Sequence, residues 1–489
     1  MTERAASGRA RRVGTGLLLL AYTSFALRAF LADGLPLFFD AHSHLSRAWL
    51  AARALGEGSF PSWTFSWYGG YRLFEFYAPG YHLLAGALGL VTGNLAAATK
   101  LVLFAGQLGS VAAFYVLLLR LGAAPLAALF GALLYVHDAE RWRLLAVIGN
   151  HPSLLVYAAA PLFLLGVLRA DGTRRSNRRL FAASSLLMAA MAAGHLTTSA
   201  HVLPALLAFA CAALVQRLPR AAAVRALVAL AASGLAFVAL TAWLTVPMLR
   251  GLPLVSLGLE SAGPGFDLEP VAIALGLEEP DSFRWIFVAT PGLVWCALAL
   301  GAGALSLRAP RARWRACGAG LVASLLSIAV LGERAALGLI FFVAPLCAAA
   351  LQFVSHAVGR RAGPRLALGL QALAVLAVPV WHHTRDEAPL RYVEPETLRI
   401  YARIPPPGEL GRSFDVTRAT DSVDGVYGQS SFSPYWSGRA IPFGGFPQGA
   451  PLAVNVQLAL AGKLVQELAA PRPTLSADAL DLLQLLHVA

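Results

Sequence analysis

Residues 79–93, PGYHLLAGALGLVTG, decide how the chain threads a bilayer. The run is apolar, but about 15 residues at a helical rise of about 1.5 Å fall short of the roughly 20 needed to cross a hydrocarbon core. Everything C-terminal to it changes sides according to whether it crosses, and the charges arbitrate. If it does not cross, the N-terminus and the stretches 120–124, 169–179, 217–225, 308–315 and 359–365 share one side. Together these hold 20 of the 37 arginines against two acids, Glu3 and Asp171. If it crosses, RADGTRRSNRR (169–179) and every later basic loop is exported, against the rule that short cytoplasmic loops carry the Lys and Arg excess. Residues 79–93 are therefore expected to form a re-entrant or interfacial helix.

Working outward, the rest of the chain is written for lipid. Of 489 residues 57% are hydrophobic and 13% charged, with a mean hydropathy of +0.64, whereas an ordinary soluble domain has about a quarter of its residues charged. The expected fold is an all-α polytopic membrane protein with about eleven spans. They lie near 14–32, 96–119, 121–137, 145–168, 180–194, 198–216, 226–248, 286–306, 317–331, 335–358 and 366–382. The first follows Arg9, Arg11 and Arg12 and has no small-residue cleavage site behind it, so it reads as an uncleaved span. The net charge of +13 comes from the cytoplasmic arginines rather than from a nucleic-acid surface, and no nucleic-acid partner is expected. All four cysteines (Cys211, Cys296, Cys317, Cys347) lie in apolar runs, which leaves no disulfide framework or thiol metal cluster.

This threading divides the chain into a transmembrane domain, 1–382, and an extracytoplasmic C-terminal domain, 383–489, rich in Gly, Pro and aromatics and expected to be mixed or β-containing. The last stretch, SADALDLLQLLHVA, reads as an amphipathic helix without a stop signal, as though the natural domain continued. Besides the tail, the exterior receives a first loop (33–95), a short acidic connection (137–144) and a loop at 249–285.

The first loop carries the densest chemistry: FFDAHSHLSRAWLAARALGEGSFPSW (38–63), then an aromatic stretch to His82. Asp40, His42, His44 and Arg47 stand at the membrane edge, where an ionisable group is costly unless it faces water, a partner or a ligand. Residues 45–55 suit a short helix lying on the membrane with Arg47 and Arg53 on its wet side. The plainer readings are an interfacial aromatic belt, a helix cap or ion pair for Asp40, and structural hydrogen bonds for the two histidines. Asp40, His42 and His44 have the residue types of a metal site; on a strand the three share one face, and on a helix they do not converge. A second acidic site is HDAERWR (137–143), where Asp138 and Glu140 stand two residues apart at the outer end of a span and suit either a solvated face or a site. Arg141 and Arg143 suit either neutralisation of those acids or a phosphate. Asn150 and His151 precede Pro152 inside a span, and His195 and His201 bracket the end of another, so each suits a cavity or a kinked helix; Asn150 is expected to support the kink. The chain carries no usable P-loop, GxSxG or HExxH pattern.

An acid in the first external loop and an acidic pair in the next resemble the GT-C glycosyltransferases, membrane enzymes that use polyprenyl-phosphate or polyprenyl-pyrophosphate sugars. More closely, DAHSHLSRAWLAARALGEGSFPSW with GGYRLFEFYAPGYH, over about residues 36–82, is similar to the membrane proteins described as 6-pyruvoyl-tetrahydropterin synthase-related. That description does not establish pterin chemistry. The resemblance implies inverting transfer of a sugar from the lipid phosphate to an extracytoplasmic acceptor, which is a glycan, lipid or protein. Asp40 is then the general base, and His42, His44, Arg47, Arg141, Arg143 and His195 bind donor phosphate or acceptor. Asp138 and Glu140 hold Mg or Mn if a metal is used. It further implies a bacterial inner-membrane location, with the N-terminus cytoplasmic and the site outside. No WWD-type sequon-recognition motif is present, so protein N-glycosylation is not implied. The readings from other classes are a lipid-linked glycan flippase and a non-catalytic envelope-assembly scaffold.

Overall fold

The structure, a computed structural model, describes residues 2–32, 35–36, 40–61, 63–64, 71–74, 77–142, 144–145, 149–251, 312–331, 333–383 and 392–393, with isolated residues between 252 and 311. The expected span at 286–306, the loop at 249–285 and nearly all of the expected C-terminal domain lie outside these residues. The described chain is overwhelmingly helical. Helix α1 (Thr2–Ala26) runs into a 3-10 turn (Leu27–Leu31), followed by strand β1 (Leu35–Pro36) and α2 (Ala41–Gly56). After the strands β2 (Trp63–Thr64) and β3 (Tyr71–Arg72) come α3 (Gly80–Thr92), α4 (Leu95–Leu121), α5 (Pro125–Val136) and the single turn α6 (Ala139–Trp142). A 3-10 turn (His151–Ser153) then leads to α7 (Leu154–Arg169), α8 (Arg174–Gly194), α9 (Leu196–Arg217) and α10 (Arg220–Gly251). Further on are α11 (Ala312–Leu331), a 3-10 turn (Glu333–Gly338), α12 (Ile340–Ala362), α13 (Pro364–His383) and β4 (Tyr392–Val393).

Seven described helices are long and apolar enough to cross a membrane, and Gly80–Thr92, Pro125–Val136 and Pro364–Val380 are shorter apolar helices. Every span expected from hydropathy, apart from 286–306, falls on one of the described helices. Helix α3 holds 13 residues and ends at Gly93 with φ of 67°, a left-handed C-cap. Its length accords with the re-entrant reading.

Contacts between loops sort the two ends of the bundle. At one end Tyr115 of α4 donates to the Arg12 carbonyl (3.1 Å), Arg313 donates to the Arg120 carbonyl, and the Ala124 amide donates to Gln352 (2.9 Å). Arg217 donates to the Val167 carbonyl at the same end (3.3 Å). The arginine-rich loops are thus gathered together. At the other end Lys100 donates to the Ala32 carbonyl (2.5 Å), the Tyr22 hydroxyl meets His137 Nε2 (2.6 Å), and Trp142 packs edge-on to Phe30. Strand β4 pairs antiparallel with β1, Pro36 opposite Tyr392, so the chain beyond α13 returns to the segment preceding Asp40.

The interior of the bundle shows how a break in a helix is repaired where water is scarce. Pro161 lies inside α7 and has no N–H, which orphans the carbonyl of Tyr157 four residues earlier. Ser110 of α4 and Tyr135 of α5 both place hydroxyls 3.0 Å from that carbonyl, and 2.7 Å from each other. Tyr135 also stacks on Phe114, with ring centroids 4.1 Å apart. One kink therefore ties three helices together. Tyr135→Phe or Ser110→Ala alone leaves one donor and is expected to cost about 1 kcal/mol, whereas the pair strands a buried carbonyl at about 1–3 kcal/mol more. Thermal unfolding in detergent should show the double variant less stable than the sum of the singles; simple additivity would contradict this assignment.

Candidate functional site

The site begins with the crossing of α2 and α3. Residues His44, Arg47, Ala48 and Ala51 recur at the spacing of one helical face, and α3 covers that face. The approach is close enough to need glycine: a Cβ on Gly86 would stand 2.7 Å from the Ala48 carbonyl oxygen and 2.8 Å from the Ala52 nitrogen. A second close approach seats the start of α3 on α8, where a Cβ on Gly80 would meet the Ala193 carbonyl oxygen at 2.6 Å. These contacts correct one expectation. Arg47 was placed on the wet side of an interfacial helix, yet it is 1% exposed, with its guanidinium carbon 4.8 Å from the centre of the Tyr77 ring. The cause is α3 folding back over α2, which turns that face inward. Arg53 stays exposed and pairs with Glu57 at 3.1 Å.

Four histidines from four places in the sequence converge here. His44 Nδ1 is 3.1 Å from His82 Nε2, and both side chains are fully buried. The His151 ring centre is 6.1 Å from that of His44, and Tyr81 reaches His151 Nδ1 at 3.5 Å. His195 caps α9, its Nδ1 accepting the Thr198 backbone N–H at 3.1 Å, and its ring lies edge-on to Tyr77 with centroids 5.7 Å apart. Asn150 accepts from the Ser153 hydroxyl at 3.0 Å beside Pro152, and its amide nitrogen is 3.3 Å from His195 Nε2. Tyr77, half-buried, touches His44, His82, His195 and Arg47.

Asp40 stands immediately before α2, its backbone carbonyl accepting the His44 N–H at 3.1 Å while its carboxylate does not cap the helix. The structure thus groups His44, Arg47 and His195 and places Asp40 one turn from His44. Of His42 only the backbone, within α2, is described.

HDAERWR sits at the same end of the bundle, since Trp142 packs on the 3-10 turn that leads into β1 and Asp40. Asp138 is buried and accepts the Arg141 backbone N–H at 3.0 Å, the capping bond of the short α6. The Arg141 guanidinium turns into the bundle, donating to the Tyr135 carbonyl at the end of α5 (2.8 Å) and to Gln107, with its carbon 4.2 Å from the Tyr135 ring centre. A cation there favours the negative C-terminus of α5. Arg143 and the side chain of Glu140 lie outside the described residues. Among the described residues no three of His, Cys, Asp or Glu are grouped to hold a metal ion, and Asp138 is engaged as a cap, so no chemistry is derived through a cation.

His82 and His151 complete the cluster without having been read as site residues. His82 lies in the run whose spanning was at issue, and the His151 signal was absorbed in a Pro kink. A shared role was visible in neither, because each meets His44 only across α3 and the turn before α7.

Burial holds the pKa of His44 well below its ordinary value. Its neighbours on the facing elements, His82, His151, Arg47 of its own helix, and His195, oppose a proton as well. In the unfolded chain the imidazole gains a proton below about pH 6.5, whereas the folded site keeps it neutral. Stability should therefore fall as pH drops below about 6.5, as the unfolded chain takes up a proton that folded His44 does not. Unfolding measured from pH 7.5 to 5 should show this slope, and His44→Gln should make it shallower; an unchanged slope would place the His44 proton otherwise.

Comparison with known proteins bears on the fold. Residues 74–260 match the family described as 6-pyruvoyl-tetrahydropterin synthase related domain, membrane protein. No curated protein matches the sequence. Among solved structures, the apo Archaeoglobus fulgidus oligosaccharyltransferase is similar with a TM-score of 0.57 at 13% identity, over 98% of this chain and 69% of that one. The archaeal oligosaccharyltransferase AglB from the same organism, in complex with an inhibitory peptide and a dolichol-phosphate, is similar with a TM-score of 0.54 at 12% identity, over 97% and 68%. The chain is a polytopic membrane protein of the GT-C fold that carries, over residues 74–260, the signature of that membrane-protein family.

Proposed function

We propose that this protein is a GT-C glycosyltransferase moving a sugar from a polyprenyl-phosphate donor, or its pyrophosphate counterpart, to an extracytoplasmic hydroxyl acceptor with inversion. The observation that carries the reading is the grouping of buried His44 and Arg47 with half-buried His195 beside Asp40, at the end of the bundle opposite the arginine-rich loops. A lipid-phosphate sugar presents its anomeric carbon at headgroup depth, where this grouping sits if the arginine-rich end is cytoplasmic. A structurally similar archaeal protein holds a dolichol-phosphate, which supports a lipid-phosphate donor here.

In this mechanism the acceptor oxygen attacks the anomeric carbon while its proton passes to the Asp40 carboxylate. The bond from that carbon to the phosphate oxygen breaks, and the phosphate leaves with the electron pair. Arg47, a permanent cation in a low-dielectric pocket, stabilises the charge that develops. The remaining candidates, His42, Arg141 and Arg143, are assigned to binding donor or acceptor, and Asp138 with Glu140 to an Mg or Mn ion if one is used. The protein is assigned to a bacterial inner membrane, with the acceptor a glycan, lipid or protein.

Two measurements test this. Asp40→Asn should insert and fold while losing transfer from a short-chain polyprenyl-phosphate hexose by about 10²- to 10⁴-fold, the usual contribution of a general base. Transfer at the unmodified rate would sink the enzyme reading and favour a flippase or scaffold. In intact cells an impermeant thiol reagent should label Ser59→Cys in the first loop and spare Arg178→Cys; the reverse pattern would place the site in the cytoplasm.

A further inference from the structure

The proton positions in the histidine cluster follow from its hydrogen bonds. His82 Nδ1 lies 3.1 Å from the Ala78 carbonyl oxygen, which can only accept, so His82 carries its proton on Nδ1 and exposes a lone pair on Nε2. His44 Nδ1 faces that lone pair at 3.1 Å and must therefore hold the proton of the pair. Neutral His44 is then left with a lone pair on Nε2. The Tyr77 hydroxyl stands 3.5 Å from that nitrogen, a long contact that a better-placed hydroxyl can replace. The chain runs one way, from the Tyr77 hydroxyl through His44 and His82 to a backbone carbonyl.

We propose that His82 is a positioning residue that fixes His44 as a hydrogen-bond acceptor, and that His44 Nε2 receives a hydroxyl of the incoming sugar acceptor in place of Tyr77. The second half rests on the function proposed above. It assigns His44 to the acceptor hydroxyl and not to the donor phosphate, because a phosphate oxygen offers no proton to a lone pair. Phosphate recognition falls to Arg47, whose guanidinium has donors only. Burial keeps the arrangement in place: both rings are excluded from water, so no solvent competes for the His44–His82 bond.

The full-length protein in detergent, labelled with 15N-histidine and assigned with His44→Gln, reports the tautomer directly. In the unmodified protein His44 should be protonated on Nδ1, and a proton on Nε2 would overturn the inference whatever the activity. In transfer assays with a short-chain polyprenyl-phosphate hexose and a methyl hexoside, His82→Leu should release the His44 tautomer. It should also raise KM for the acceptor about tenfold, the worth of one hydrogen bond, with KM for the donor unchanged. His82→Gln, whose amide oxygen restores an acceptor to His44 Nδ1, should recover both. A folded His82→Leu protein with unchanged acceptor KM, or with donor and acceptor KM raised alike, would overturn the assignment. If the unmodified protein transfers no sugar, the proposed function and the hydroxyl role fail together. The tautomer of the unmodified protein then still decides whether His82 positions His44.

Discussion

The site depends on one close approach, that of α3 to α2 at Gly86. A side chain there would collide with the backbone of α2, so only glycine lets the two helices lie in contact. That contact turns a face carrying His44 and Arg47 away from water and against His82. The same geometry explains why α3 need not cross the bilayer. At 13 residues this apolar helix is long enough to cover the polar face of its neighbour and bury its own apolar side. Gly80, against α8, fixes the other end of α3 and so brings His195, at the α8–α9 junction, within reach of Tyr77.

Two polar clusters lie toward this end of the bundle, and they differ in how their hydrogen bonds close. Around Arg141 the terminal guanidinium nitrogens meet Tyr135 and Gln107, and the carbonyl freed by Pro161 is met by Ser110 and Tyr135. This network answers defects of the helices themselves, a C-terminus and a kink. The histidine cluster answers no such defect in α2 or α7. It buries a permanent cation and three imidazoles in a region where ionisable groups are costly.

Much of the fold was legible because hydropathy and charge act over windows of one helix. The spans, the shortness of 79–93 and the gathering of arginines at one end all follow from local composition and the behaviour of charge at a membrane. The site was legible only where its residues are dense in sequence. Asp40, His44 and Arg47 announced themselves by crowding at a membrane edge, but the inward turn of Arg47 depends on Gly86, 39 residues on, whose role no local pattern reveals. Arg141 was ambiguous between phosphate ligand and neutraliser of acids. Its contacts with Tyr135 and Gln107 come from helices that a linear reading cannot place beside it. His82 was hidden for the same reason, a histidine within an apolar run, whereas His151 was legible only as a cavity or kink residue beside Pro152.

The cluster also separates two kinds of recognition within one pocket. Arg47 keeps its charge under all ordinary conditions and offers only donors, so it suits an anion. His44 is kept neutral by burial and by the company of other histidines and Arg47, and its outward nitrogen offers only a lone pair. Had His44 been free to take a proton, both groups would present donors, and the pocket would favour phosphate twice over and the hydroxyl not at all. Holding the imidazole neutral beside a fixed cation is therefore what allows a single buried site, on the proposed function, to take a phosphate and a hydroxyl at once and to hold each at its own group.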